Sequence, residues 1–355
     1  MTIARLARPE IRALRPYAAA EQVDDTVRLN ANEAPWSSTA DHFRRPLNRY
    51  PEIRPTALGE SLSRFFRCDP QQLLVTRGTS EAIDLLIRVF CREGKDNILT
   101  TTPTFSMYEH YATVQGAAQR SVATREEDDF ACDIDALLDE CDDSTRLIFL
   151  CSPNNPTGTV LPRASLTDLL ERRGDRSAVV VDEAYIEFSD EPSAVELLPE
   201  YGNLIVLRTL SKALAFAGAR CGAVMGPVEV VRMLNAVQAP YAMSTPVVEC
   251  VEDALEEASL DEARRRIEAI RGERVRLIAA LREFDFVESI WPSAANFILM
   301  RVADSTAVMR HCSDDRVLLR DFGGSLAGCI RITVGSEAQN DRLLQCLRKM
   351  RGARP

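Results

Sequence analysis

Histidine is nearly absent from this chain. Only His42, His110 and His311 occur among its 355 residues, far apart in sequence, so neither a histidine-rich metal site nor a Ser-His-Asp triad has material to draw on. The ten cysteines are scattered and form no CxxC pair, a pattern of separate reduced thiols in a cytoplasmic protein. Basic charge is also short: 43 Lys and Arg against 53 Asp and Glu give a net charge of -10, which excludes non-specific binding to nucleic acid or an anionic membrane. Any anion must therefore be met by a local concentration of Arg or Lys. No apolar run is long enough to cross a bilayer. The opening MTIARLARPEIRALRPY carries four arginines but no apolar stretch of signal-peptide length, and Glu10 interrupts any transit-peptide pattern; it reads as an amphipathic surface helix stopped by Pro16. No internal repeat or low-complexity tract is present.

What remains is ordinary globular composition, 46% hydrophobic and 27% charged, over a length that suits one large domain plus a smaller one. Strand and helix patterns alternate from about residue 73 to 226. LLVTRGTSEAIDLLIRVFC reads as a strand, a turn at Gly78 and a helix capped by Thr79 or Ser80, whose free N–H groups suit phosphate, although such junctions commonly only connect. NILTTTPTFSMYEHYA repeats the pattern and puts Phe105 and Tyr108 just past a strand, where an aromatic either covers a flat heterocycle or packs in the core. RLIFLCSPNNPTGTV runs from a buried strand into a turn carrying Asn154 and Asn155. SAVVVDEAYIEF is a β-branched strand followed at once by Asp182, with Tyr185 three residues on; a carboxylate so placed must find a cation or hydrogen bonds, a structural salt bridge being the competing explanation.

The organising stretch is NLIVLRTLSKALAFAGARCGAVMG. Leu204 to Leu207 form a buried strand that delivers Ser211 and Lys212 to its end, and Arg220 precedes a Cys221–Val224 run able to re-enter the sheet. A lone lysine after an apolar run is ordinarily a solvated loop residue; an amine and a guanidinium facing one place suit an aldehyde that also carries a phosphate. The alternation predicts an α/β fold with a mainly parallel, doubly wound sheet, and ligands in such sheets bind beyond the carboxyl ends of the strands. Asn155, Asp182 and Lys212 each follow such a strand. A long helix over 259–284 then leads to a smaller α+β domain with two strands, NFILM and CIRITVG, in which Arg320 and Arg331 could clamp a carboxylate or phosphate.

Taken in order, the blocks RPY, LNANE, RYPE, SPNNPTG, DEAYIEF, RTLSKA, RCG and GCIRITVG resemble pyridoxal-phosphate aminotransferases of fold type I, and most closely the histidinol-phosphate aminotransferase family, nearly from end to end. The resemblance implies a large cofactor domain over about 46–270, with about 1–45 and 271–355 forming an arm and small domain. It implies pyridoxal 5'-phosphate joined to Lys212, its ring nitrogen paired with Asp182, its phenolic oxygen held by Asn155 and Tyr185, and its face covered by Phe105. Its phosphate would be held by Arg220, Ser211 and the Gly78–Thr79–Ser80 turn, with Tyr50 reaching across a symmetric homodimer to the partner's phosphate site. Arg320 and Arg331, with Tyr17 and Asn32 near the entrance, would meet the substrates. The implied reaction exchanges the amino group between histidinol phosphate and 2-oxoglutarate, giving imidazole acetol phosphate and glutamate, in histidine biosynthesis. An aromatic amino-acid aminotransferase, a phospho-amino-acid decarboxylase and a non-catalytic cofactor-binding protein are the alternatives. Phe105 stands where relatives often have Tyr, Ser80 where some are acidic, and the loop between Arg320 and Arg331 is short; these departures touch substrate preference more than cofactor binding.

Overall fold

The computed structural model describes residues 3–17, 22 and 26–351. Its strands are β1 Leu73–Thr76, β2 Asn97–Thr102, β3 Ala118–Ala123, β4 Thr145–Cys151, β5 Ala178–Asp182, β6 Leu204–Thr209, β7 Gly222–Met225, β8 Val287–Ile290, β9 Phe297–Val302, β10 Arg320–Asp321 and β11 Cys329–Thr333. The first seven form one sheet in the order β1-β7-β6-β5-β4-β2-β3, and the last four a second in the order β10-β11-β9-β8. In the large sheet only β7 runs against its neighbours. The run that re-enters the sheet after Arg220 is this reversed strand, which a short loop can supply because antiparallel strands need no crossover helix.

The pleat sorts each large-sheet strand onto two cores. Val179 and Val181, with Leu204, Val206, Ile148 and Leu150, face one side; Val180, Ile205, Leu207 and Phe149 face the other. The first side is covered by α2 Thr56–Phe66, α5 Ile134–Glu140, α6 Arg163–Arg173 and α8 Thr245–Ala254, the second by α3 Thr79–Phe90, α4 Met107–Gln115 and α7 Val228–Val237. Burial on both faces is why these strands read as continuous apolar runs.

The amino terminus departs from the expected surface helix. Pro9 lacks an amide hydrogen and begins a new short helix, α1 Pro9–Arg12, after a separate 3-10 turn over Ile3–Leu6. Ile3 and Ala7 are buried in the α3/α7 core. Met1 and Thr2 lie outside the described residues. The long helix, α9 Glu257–Leu281, runs two residues earlier at its start and three earlier at its end than the sequence suggests. Its arginine cluster is a solvated face as expected, with Arg264 paired to Asp261 and both Arg265 and Arg266 to Glu262. The second sheet packs on the end of α9, on α10 Ser305–Asp314 and on α11 Glu337–Arg351. Three strands escaped the sequence reading, β3, β8 and β10. The first two lie at sheet edges and alternate weakly between half-buried and exposed residues, and β10 has only two residues, so none carries an apolar signature.

Gly158 joins the two sheets at close quarters. Its φ is +81°, and a Cβ there would lie 2.3 Å from Ser293 Oγ, while its carbonyl accepts from Ala294 N–H at 2.9 Å. A side chain at 158 would push the small sheet away from the Asn155 turn.

Candidate active site

Four strand ends build the site. β5 ends on Asp182, which is 2% exposed, and its Oδ1 accepts from Ala184 N–H at 3.2 Å. Its Oδ2 accepts from the Tyr108 hydroxyl at 3.0 Å. Burial drives this carboxyl up to about 6, against the Tyr108 and Ala184 hydrogen bonds and the charge of Lys212, which favour ionisation. The neighbouring Glu183 points into a separate network: it accepts from Ala194 N–H at 2.6 Å and Ser193 Oγ at 2.5 Å, and Arg208 lies between it and Glu187. Arg208 is the cation that the salt-bridge explanation called for, but it serves Glu183 and not Asp182.

β6 leads through Thr209 to the lysine loop. Thr209 Oγ1 donates to Ser211 Oγ at 2.9 Å and accepts from Ser211 N–H at 3.2 Å, while Leu210 N–H bonds Cys221 O at 3.1 Å, closing the loop on itself. Ala215 and Arg220 have φ of 60° and 56°, a left-handed backbone that costs energy in residues with a Cβ. Lys212 is exposed, with Nζ 5.7 Å from the centre of the Tyr185 ring. Desolvation, then the charges of Arg331 and Arg220, hold its amine below the ordinary lysine value, with Asp182 pulling the other way.

The turn after β1 comes beside this loop. Gly78, with φ of +76°, is itself the helix cap; Thr79 and Ser80 are the first helical residues, and no side chain takes up the helix-start N–H groups. This corrects the expectation that Thr79 or Ser80 caps α3. The left-handed φ favours glycine at 78, and a Cβ there would lie 2.8 Å from Arg220 Nη2 and displace that guanidinium, whose Nη1 donates to Ser211 Oγ at 3.3 Å. A cation and a bare helix start therefore share one concave corner.

β4 contributes the paired asparagines, which divide their tasks. Asn154 is structural, accepting from Thr104 Oγ1 at 2.7 Å and donating to Thr157 Oγ1 at 2.9 Å. Asn155 reaches the site, donating to the Tyr185 hydroxyl at 3.4 Å and accepting from Arg331 Nη1. Tyr185 is buried, edge-on to Phe297 at 5.1 Å, and burial raises its phenol.

The small sheet supplies two guanidiniums. Arg320 and Arg331 are cross-strand partners, and residues directly opposite in an antiparallel pair share a face. Phe322 lies 5.9 Å from Arg320 Cζ and 5.7 Å from Arg331 Cζ, beneath both. They line a cavity of about 570 Å³ together with Phe105, Glu109 and Asn155. Phe105 meets Tyr108 edge-on at 5.7 Å.

Of the expected site residues, Phe105, Asn155, Arg320 and Arg331 line that cavity; Asp182, Tyr185, Ser211, Lys212, Arg220 and the Gly78–Ser80 turn are not among its lining residues, nor are Tyr17, Asn32 and Tyr50. Tyr50 is half exposed and stacks on Tyr241 at 4.7 Å; Tyr17 is exposed. Asn32 is exposed with φ of 54°. Glu33 is the anchor of this segment: its buried carboxylate accepts from Arg28 at 2.6 Å, Arg49 at 2.8 Å and Tyr50 N–H at 2.8 Å. Tyr108 was seen only as an aromatic near a strand; its place three residues beyond Phe105 on α4 was the available signal that both could face the site.

An amine, a buried carboxylate and an anion corner at the carboxyl edge of one parallel sheet define a class. The chain belongs to the class I and II aminotransferases, whose family model matches residues 20–347. More particularly, it is 42% identical to the histidinol-phosphate aminotransferase of Shigella sonnei over 352 residues, 98% of each chain. Two solved structures share the fold. The histidinol-phosphate aminotransferase of Clostridium acetobutylicum superposes with a TM-score of 0.78 at 22% identity, covering 86% of this chain and 91% of that one. The Sinorhizobium meliloti enzyme, solved in complex with pyridoxal-5'-phosphate, gives 0.77 at 23% identity, covering 86% and 84%.

Proposed function

We propose that this aminotransferase exchanges the amino group between L-histidinol phosphate and 2-oxoglutarate, yielding imidazole acetol phosphate and L-glutamate in L-histidine biosynthesis, with pyridoxal 5'-phosphate as cofactor. The residues fit that group. The Gly78–Arg220 corner with its free helix N–H groups suits the phosphate, the buried Asp182 carboxylate suits a protonated ring nitrogen, and the depressed Lys212 amine suits covalent attachment. When bound, pyridoxal phosphate supplies an electron sink for the substrate carbon.

The chain's own residues do the remainder. Asp182, shielded from water, holds a proton on the ring nitrogen by its negative charge. Lys212 Nζ, unprotonated more readily than an exposed lysine, takes up and returns protons within the cleft. Asn155 and Tyr185 orient the ring oxygen from one side. Arg331 carries the substrate assignment, because its guanidinium touches Asn155, depresses Lys212 and faces the cavity beside Arg320. Two substrates must enter in turn, one bearing a carboxylate and one a phosphate, and the planar fork of arginine matches both anions.

The experiment is a half-reaction screen on the cofactor-loaded enzyme with histidinol phosphate, glutamate, phenylalanine and threonine phosphate, following loss of the absorbance of the lysine-bound cofactor. Histidinol phosphate and glutamate should convert fastest. Rapid conversion by phenylalanine with none by histidinol phosphate would replace the reading with an aromatic aminotransferase, and carbon dioxide released from threonine phosphate would replace it with a decarboxylase.

The working unit is taken to be a cytoplasmic homodimer, with a large domain over about 46–270 and a small one formed by about 1–45 and 271–355. Among the described residues, eight of the eleven exposed large hydrophobic side chains fall between Leu14 and Tyr50, which supports a second copy covering that segment. Tyr50 would then reach the partner's phosphate corner, with Tyr17 and Asn32 at its entrance. No helix among the described residues is long and apolar enough to cross a membrane.

A further inference from the structure

Tyr108 carries a polar atom in a place that packing alone would fill with Phe. Its side chain is fully shielded from solvent. The ring is stacked on Phe149 at 4.9 Å with the planes 14° apart, and Phe105 meets it edge-on at 5.7 Å. Held on two sides, the phenol donates to Asp182 Oδ2 at 3.0 Å, with the Cys151 thiol also beside its hydroxyl. A buried hydroxyl without a partner costs free energy, so the pair is fixed by the needs of both members. Asp182 Oδ1 is held independently by Ala184 N–H. A carboxylate offers about four lone-pair positions, so one protein donor on each oxygen stops the group rotating and still leaves each oxygen able to accept from a ligand.

We propose that Tyr108 is a positioning residue for the cofactor: its hydroxyl orients the Asp182 carboxylate and keeps it an acceptor toward the ring nitrogen of pyridoxal phosphate. This rests on the cofactor reading above. The physical need is specific to this carboxyl, since burial opposes its ionisation and a donor to the charged form restores it. The other ionisable groups around Asp182 are Lys212 from the loop after β6, Glu183 beside it on the chain, Cys151 at the end of β4 and Tyr185, whose hydroxyl accepts from Asn155 Nδ2 at 3.4 Å. Glu183 is turned into the Arg208 network and Cys151 Sγ is bonded to Pro153 O at 3.3 Å, so neither supplies the missing donor. Lys212 is the residue that must be free to act.

The test uses cofactor-free full-length protein carrying Tyr108→Phe, Asp182→Asn or both, titrated with pyridoxal phosphate, with melting temperatures taken alongside. Tyr108→Phe should weaken cofactor affinity about three- to tenfold, and in the Asp182→Asn background it should add nothing. The acid limb of the affinity against pH should move to higher pH in Tyr108→Phe, because loss of a donor to the charged form raises the carboxyl. An equal loss in both backgrounds, or an unmoved acid limb, would overturn the proposal and leave Tyr108 as packing. Wild-type protein that fails to bind pyridoxal phosphate, or binds it as well with Asn at 182, would overturn the cofactor reading beneath it.

Discussion

The carboxyl edge of the large sheet and the segment from residue 26 to 50 solve opposite problems. At the sheet edge, charge is buried and almost every charge has a partner inside the chain: Asp182 with Tyr108 and Ala184, Glu183 and Glu187 with Arg208. In the segment, one buried acid, Glu33, anchors a stretch whose apolar side chains point outward; Val27, Leu29 and Trp36 are more than 80% exposed. The first region satisfies its buried charges from within one chain. The second leaves several large apolar side chains at the surface between polar ones, the kind of patch that contact with another molecule would cover.

That contrast can be broken at its strongest point first. Lys212→Ala should cost activity at least about a thousandfold while sparing the fold, since it removes both the attachment point and the proton carrier. Borohydride reduction of the loaded wild type should label the peptide containing Lys212; a label elsewhere would remove the basis of the site. Next, Arg331→Ala should slow both half-reactions by about 30- to 1000-fold, because one guanidinium serves both anions. Slowing of only one half-reaction, measured separately, would show that the clamp is not shared.

Asp182→Asn sharpens the comparison through stability. Burial raises the folded carboxyl to about 6 from the ordinary aspartate value of 3.8, so the fold holds its proton more tightly than the unfolded chain does. The stability this proton provides is complete below about pH 4 and is lost as pH rises through about 6. Cofactor-free Asp182→Asn should therefore be more stable than cofactor-free wild type at pH 8, by roughly 1–3 kcal/mol, and lose that advantage below pH 4; denaturant melts at the two pH values decide it. The smallest effect on the fold belongs to the outward segment. Trp36→Glu should change the unfolding free energy by less than about 0.5 kcal/mol yet shift sedimentation from dimer toward monomer. A variant that sediments like wild type would mean that Trp36 lies outside the contact.

Much of the site was legible because it hangs on strand ends. An apolar run announces a buried strand, and Asn155, Asp182 and Lys212 follow such runs in LIFLCSPNN, VVVD and LIVLRTLSK respectively, so their convergence needed only the topology of a parallel sheet. The two arginines of the small sheet were visible as anomalies in apolar surroundings. The Tyr108–Asp182 bond was hidden, because it joins residues 74 positions apart and an aromatic near a strand has several possible fates. Edge strands β3 and β8 were hidden because half-exposed alternation resembles loop sequence. Glu33 looked like one more acid in a polar turn.

By itself the sequence determined where the buried central strands stop and which polar residues are left at the stops; those are local properties of hydrophobic period and side-chain chemistry. Tertiary structure alone decided partners and directions: that Arg208 neutralises Glu183 and not Asp182, that Arg331 sits beside Asn155 and acts on Lys212, and that Tyr108 turns its hydroxyl to Asp182. The reason is that hydrogen bonds and charge coupling depend on distances of a few ångströms between residues far apart in the chain, and only the packed fold sets those distances.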